Sequence, residues 1–149
     1  MLASFAEYER GSIRERTQAG LHRALRDGKF TGRLPYGYKL SPDKTGLILV
    51  EEEARIVREV ISNIAAGATL YSESKRLNDE GVPSPGYRIR SDDRRMGTGS
   101  WSRSTIRDIV YQTAYSGVHR VRIEDRGGQE EIIERPVPAV VESGLRERA

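Results

Sequence analysis

Arginine sets what this chain can do chemically. Arg103, Ser104 and Arg107 are spaced so that a helix starting at residue 103 carries all three on its exposed first turns. A guanidinium there can pair in a bidentate way with guanine, or neutralise a phosphate. The plainer alternative is a solvated basic face on a small helical core. Within residues 82–100, Arg88, Arg90, Arg94 and Arg95 outnumber Asp92 and Asp93, with Gly97 and Gly99 beside them. Such a loop suits a phosphate backbone that orders it on contact, or is an ordinary solvated connection. The run GRLPYGY at 32–38 adds Arg33, Tyr36 and Tyr38, while Gly32 and Gly37 permit close backbone approach. Basic arms of this kind enter minor grooves; otherwise the tyrosines pack on a neighbouring core. Arg120 and Arg122 share one face of a strand whose other face holds His119, Val121 and Ile123. Arg10, Arg14 and Arg16 lie near the N-terminus.

Other chemistries find no support. No serine sits in a nucleophile elbow or beside a histidine in sequence, and no glycine loop ends in the Gly-Lys-Ser/Thr of a phosphate cradle. Cysteine is absent, which removes disulfides, thiol nucleophiles and thiolate zinc sites together. His22 and His119, the only histidines, are far apart in sequence, so neither a metal nor a cofactor is expected. No run approaches the roughly twenty apolar residues of a membrane span, and the N-terminus lacks the apolar stretch of a signal peptide. The expectation is a soluble cytoplasmic protein with no membrane partner.

The 149 residues allow one compact domain or two very small ones. With 36% hydrophobic and 32% charged residues, the core must be limited. Net charge is only +3, because 25 Lys and Arg face 22 Asp and Glu. Charge distribution is therefore more telling than its sum.

The elements that must position these arginines are legible in outline. Residues 3–27 read as a long helix with Ser4 as a candidate cap and Gly28 as its stop. Gly11 and Gly20 each weaken it by about 1 kcal/mol relative to Ala. Phe5, Tyr8, Ile13 and Leu21 are apolar with no evident partner nearby, so removal of everything before Gly28 is expected to leave the rest folded. Residues 29–46 read as a linker. A short strand at Leu47–Val50 precedes a strong helix, Glu51–Ala66, with Ala54, Val57, Val60, Ile61 and Ile64 at three- and four-residue spacing. Thr69 caps a helix over Leu70–Glu80, with Leu70, Ser74, Leu77 and Asn78 inward; the glycine turn before it fits a helix-turn-helix shape. Ser102 caps a third helix over Arg103–Gln112, with Ile106, Ile109 and Val110 inward. A hairpin follows over 115–135, turning at DRGG, with Pro136 and Pro138 ending the pairing. The fold class is mainly α with a small β-hairpin (α+β): long N-terminal helix (1–28), linker (29–46), then a domain over 47–149 comprising a three-helix, helix-turn-helix-like core and the hairpin.

Four strings in this order, FAEYER with RERT, GRLPYGY, RLNDEGVPSP and WSRSTIRDIVYQTAYSG, resemble the large serine recombinases, that is, serine integrases and transposon resolvases. The closing RPVPAVVE resembles the end of that family's recombinase domain. The resemblance implies a catalytic serine domain upstream of the long helix and a four-cysteine zinc ribbon downstream, neither of them in these residues. It implies that residues 3–27 form the long helix that mediates dimerisation and crosses DNA near the cut, with Arg16 at a phosphate. It further implies that GRLPYGY tracks the minor groove while Arg103, Ser104 and Arg107 read the major groove. Leu34 stands where a first proline is frequent, and Gln112-Thr113-Ala114 replaces the usual Asn-Pro-Val/Thr, shifting the start of the hairpin.

The expected partners are double-stranded DNA at an attachment half-site, bound without cleavage, and a second copy of the chain in a homodimer, with a tetramer in the full-length parent. Two other classes fit the same residues: a free-standing helix-turn-helix transcription regulator, and a helical module whose arginine faces meet acidic proteins.

Overall fold

A long N-terminal helix, two short strand pairs and three packed helices make up most of the chain. From a computed structural model we describe residues 2–30, 33–86, 99–124 and 130–149, without the side chains of residues 2–6, 14 and 124. Helix α1 spans Leu2–Arg26. Ser4 lies inside it and is not its cap. Gly28, at φ +84°, does end it: the Gly28 and Lys29 amides donate to the Leu25 and Ala24 carbonyls.

Strand β1 (Tyr38–Leu40) pairs antiparallel with β2 (Leu47–Leu49), Tyr38 lying opposite Leu49. Helix α2 (Glu51–Ala65) comes directly after, with three acidic residues in its first turn where the helix dipole favours them. Its Ala54, Val57, Val60 and Ile61 are fully buried, Ile56 nearly so, and Ile64 half-buried. Helix α3 (Leu70–Asp79) starts at a capping box in which the Thr69 hydroxyl accepts from the Ser72 amide at 3.0 Å. Helix α4 (Arg103–Tyr111) leads through a single 3-10 turn over Thr113–Ser116 into a hairpin. Strands β3 (Val118–Glu124) and β4 (Glu130–Pro136) pair antiparallel, with Val118 opposite Pro136, so that Pro136 belongs to the ladder. The short helix α5 (Ser143–Arg148) packs against α2. The DRGG turn lies outside the described residues.

One buried cluster joins the two short strands, helices α2, α3 and α4 and the approach to α5, and residues 35–38 of the GRLPYGY run are inside it. Tyr38 is 0% exposed and stacks on Tyr115 with ring centroids 5.9 Å apart. Its hydroxyl lies 2.9 Å from the Ala114 carbonyl and 2.7 Å from that of Pro138, and the Tyr115 hydroxyl donates to the Tyr36 carbonyl at 2.8 Å. Gly37, at φ +90°, turns its amide onto Glu53 at 2.9 Å while its carbonyl accepts from Val50 at 2.8 Å. Residues 35–38 are thus core, where a linker was expected. The physical reason is that aromatic rings with satisfied hydroxyls gain more from burial than from solvation.

The α1 helix also has a partner. Leu25 is 2% exposed, and Arg26 pairs with Glu131 of β4 at 2.9 Å. The Arg135 guanidinium, also on β4, donates to the Leu25, Gly28 and Lys29 carbonyls and lies 5.1 Å from the centre of the Phe30 ring. His119 meets the same ring at 5.5 Å. Between Glu7 and Arg23 the helix is almost wholly exposed, in keeping with the expectation. Its last turn is docked, so a cut before Gly28 removes a buried leucine.

Tyr38→Phe should cost about 1–3 kcal/mol, because the one hydroxyl proton shared between the Ala114 and Pro138 carbonyls is lost; the urea midpoint followed by Trp101 fluorescence measures it. A pH dependence is expected from His119, whose Nδ1 is buried without a partner. Burial, and then the charge of Arg135, hold its pKa below the ordinary 6.5. The unfolded chain therefore takes up the proton first as pH falls. Stability should be full above 6.5 and decline as pH drops through the lowered native value. Urea midpoints at a series of pH values should show the decline, and His119→Phe should flatten it.

Candidate nucleic-acid interface

Helix α4 carries the basic face, and its neighbours hold it still. Ser102 adopts an extended conformation and its hydroxyl accepts from the Thr105 amide at 3.2 Å, capping the first turn. Immediately before it, Trp101 is buried, its indole N–H donating to the Val82 carbonyl at 2.9 Å. Asn78 of α3 grips the same residue twice: its Oδ1 accepts from the Trp101 amide at 2.8 Å and its Nδ2 donates to the Trp101 carbonyl at 2.9 Å. Asn78 is itself exposed at the rim of the core, so it works through this pairing and not through inward packing. Ile106 and Ile109 fasten the inner side of α4 to the core, with Val110 half-buried.

The outer side presents Arg103, Ser104 and Arg107, all exposed. Two further residues share it. Tyr111 is 73% exposed, four residues beyond Arg107, and Asp108 lies with its carboxylate 3.9 Å from Arg107. An exposed pair at that distance holds little energy, so Arg107 is easily recruited elsewhere. Neither Tyr111 nor Asp108 figured among the sequence candidates, although Tyr111 was signalled by its four-residue spacing from Arg107. The positive end of a helix and two guanidiniums together favour an anion.

Arg33 is brought to this surface. It is exposed at the edge of a cleft of about 730 Å³ whose other walls include Pro35, Pro85 and, from α4, Thr105, Asp108 and Gln112. Tyr36 is not available to a groove. It is 9% exposed, meets Trp101 edge-on at 5.4 Å, and its hydroxyl donates to the Pro83 carbonyl at 3.3 Å. Burying the ring satisfies it, which removes it from the set of DNA-facing residues expected from sequence.

The remaining candidates divide. Arg120 and Arg122 are exposed on one face of β3, as expected, but each meets a carboxylate on β4: Glu134 at 2.7 Å and Glu130 at 3.5 Å. That face is charge-balanced. Arg10 and Arg16 are exposed on α1, and Arg10 and Arg14 stand one turn apart at i, i+4. Six residues from Arg10 to Arg16 is about one and two-thirds turns, so Arg16 points to a different side. The side chain of Arg14, and the whole of Arg88, Arg90, Arg94 and Arg95, lie outside the described residues.

No helix among the described residues is long and apolar enough to cross a membrane. The class this defines is a mainly α domain with a small hairpin, displaying one capped basic helix. A family model described as "Recombinase" matches residues 51–149, and the chain belongs to that family. It is 27% identical over 122 residues to a Bacillus subtilis (strain 168) protein named as a DNA recombinase, covering 80% of this chain and 23% of that one. Two solved structures share the fold at 15% identity, each over 89% of this chain. One is a crystal structure of a large serine recombinase–DNA complex (TM-score 0.53, 37% of that chain). The other comes from work on the sequence requirements of the Listeria innocua prophage attP site (TM-score 0.55, 48% of that chain). The chain spans about a quarter of the length of its Bacillus relative and less than half of either structure.

Ser102→Ala should cost about 1 kcal/mol through loss of the cap. Ser104→Ala, at the exposed neighbour, should stay within about 0.5 kcal/mol. Paired urea titrations of the two variants check the difference.

Proposed function

We propose that these residues are the DNA-binding portion of a site-specific serine recombinase of the integrase/resolvase type, recognising one attachment half-site in double-stranded DNA. The observation that carries this reading is α4: a capped helix, locked by Asn78 and Trp101 on one side, with Arg103, Ser104, Arg107 and Tyr111 exposed on the other. A rigid helix of this size fits the major groove, and its N-terminal residues reach base edges. Arg33, which lines the cleft beside α4, would reach the adjoining backbone or minor groove. Helix α1 extends from the domain as the stem leading toward a catalytic domain, with Arg10, Arg14 and Arg16 along it.

The family match and the recombinase–DNA complex among the structural neighbours favour this reading over a free-standing transcription regulator. Its action is on DNA in the cytoplasm, at the nucleoid. Taken alone, these residues are read as holding DNA without cleaving it, through the exposed guanidiniums and hydroxyls of α4. Dimerisation belongs to the stem together with whatever domain it carries.

Fluorescence anisotropy with half-site and random duplexes across a salt series tests this. A preference for the half-site that persists as salt rises, on a steep overall salt dependence, is the expected result. Equal affinity for both duplexes at every salt would sink specific recognition. Arg107→Ala should cost about 1–3 kcal/mol at one base position if it reads a base, and should weaken all sequences equally if it holds phosphate.

A further inference from the structure

We infer that Arg135 is the positioning residue that sets the direction in which the α1 stem leaves the DNA-binding domain. Three observations converge on it. Its guanidinium donates to three carbonyls at the C-terminal end of α1, those of Leu25, Gly28 and Lys29. These carbonyls lie at and just beyond the C-terminal end of the helix, where partial negative charge favours a cation, and the Leu25 carbonyl accepts from the Gly28 amide as well. The same guanidinium lies over Phe30, 5.1 Å from its ring centre, and that ring meets His119 at 5.5 Å and packs on the main core. A planar fork of five donors serves several carbonyls and a ring face in one fixed geometry, whereas an ammonium offers three donors on a flexible stem.

The strand register decides where this fork sits. Arg135 stands opposite His119 in the β3–β4 ladder, next to Glu134, which Arg120 holds, and four residues beyond Glu131, which holds Arg26. The hairpin therefore grips the last turn of α1 from two strand positions four residues apart, Glu131 on the Arg26 guanidinium and Arg135 on the carbonyls of Leu25, Gly28 and Lys29. Two points define a direction where one would leave a pivot. Gly28, with a positive φ and open space around its Cα, leaves the backbone itself compliant at this place. Side-chain contacts across the hairpin, and not chain stiffness, hold the angle.

For DNA the consequence rests on the reading proposed above: a stem of fixed direction delivers whatever precedes it to one place relative to the half-site. The joint itself can be tested without DNA, so its failure and the failure of DNA recognition are distinguishable. Because the chain has no cysteine, Gln18→Cys and Ser62→Cys, both at exposed positions on α1 and α2, accept a pair of spin labels. Trp101, the only tryptophan, reports the state of the core separately.

In the otherwise unaltered chain, double electron–electron resonance should give a single narrow distance. Arg135→Gln should lose it, spreading the distribution, while Trp101 emission and the DNA affinity of the same chain stay as they were. A distribution unchanged by Arg135→Gln, with the core folded, would overturn the inference. Should that variant unfold the core, Arg135→Lys makes the same measurement, since it keeps the charge and the aliphatic stem but not the fork. A broadened distance then supports the assignment and an unchanged one refutes it.

Discussion

The stacked pair Tyr38 and Tyr115 is the contact on which everything else in this chain depends. Each ring is buried completely or nearly so, and each hydroxyl reaches a main-chain carbonyl in a part of the chain remote in sequence: Ala114 and Pro138 for Tyr38, Tyr36 for Tyr115. The segment entering the domain, the exit of α4 and the approach to α5 are tied at one point. Burial pushes the Tyr38 hydroxyl well above the ordinary range for a tyrosine, so it remains a donor under all ordinary conditions. A core with limited apolar content gains both area and specificity from such a pair, since a misplaced ring would strand its hydroxyl.

From that anchor the basic helix is built by exclusion. Tyr36 is turned against Trp101, Trp101 is gripped by Asn78, and Ser102 caps the helix that begins at Arg103. With one side of α4 committed to Ile106 and Ile109, only one side is left for a partner. Elsewhere the structure uses its arginines on itself. Arg76 is shared among Glu73, Glu80 and Glu59, Arg58 pairs with Glu51, and Arg120 and Arg122 pair across the hairpin. A near-neutral chain thereby presents a local positive surface, because its acidic residues are gathered where they cancel other cations.

Much of the candidate interface was legible from residue order. The four longer helices were expected within a residue or two of where they occur, because apolar residues at three- and four-residue spacing and the caps at Thr69 and Ser102 are local signals. Arg103, Ser104 and Arg107 emerged from the same periodicity. What could not be read locally was the fate of the aromatic and paired residues. Tyr36 carried the same composition cue as a groove-binding arm, and only the position of Trp101, some sixty-five residues later, decided otherwise. Arg120 and Arg122 were rightly placed on one face, yet the carboxylates that balance them come from the facing strand. Arg135 gave no cue at all, since its partners are main-chain carbonyls more than a hundred residues away.

By itself the sequence determined the four longer helices, the hairpin and the family resemblance, which rest on local patterns and short strings, while strand β1 lay hidden in a stretch that reads as a linker. Tertiary structure alone decided which side chains remain for a partner and which serve the fold. The physical reason is that a tyrosine or an arginine gains comparably from a groove, a carboxylate, a ring or a carbonyl. Which of these it meets is set by contacts between distant parts of the chain.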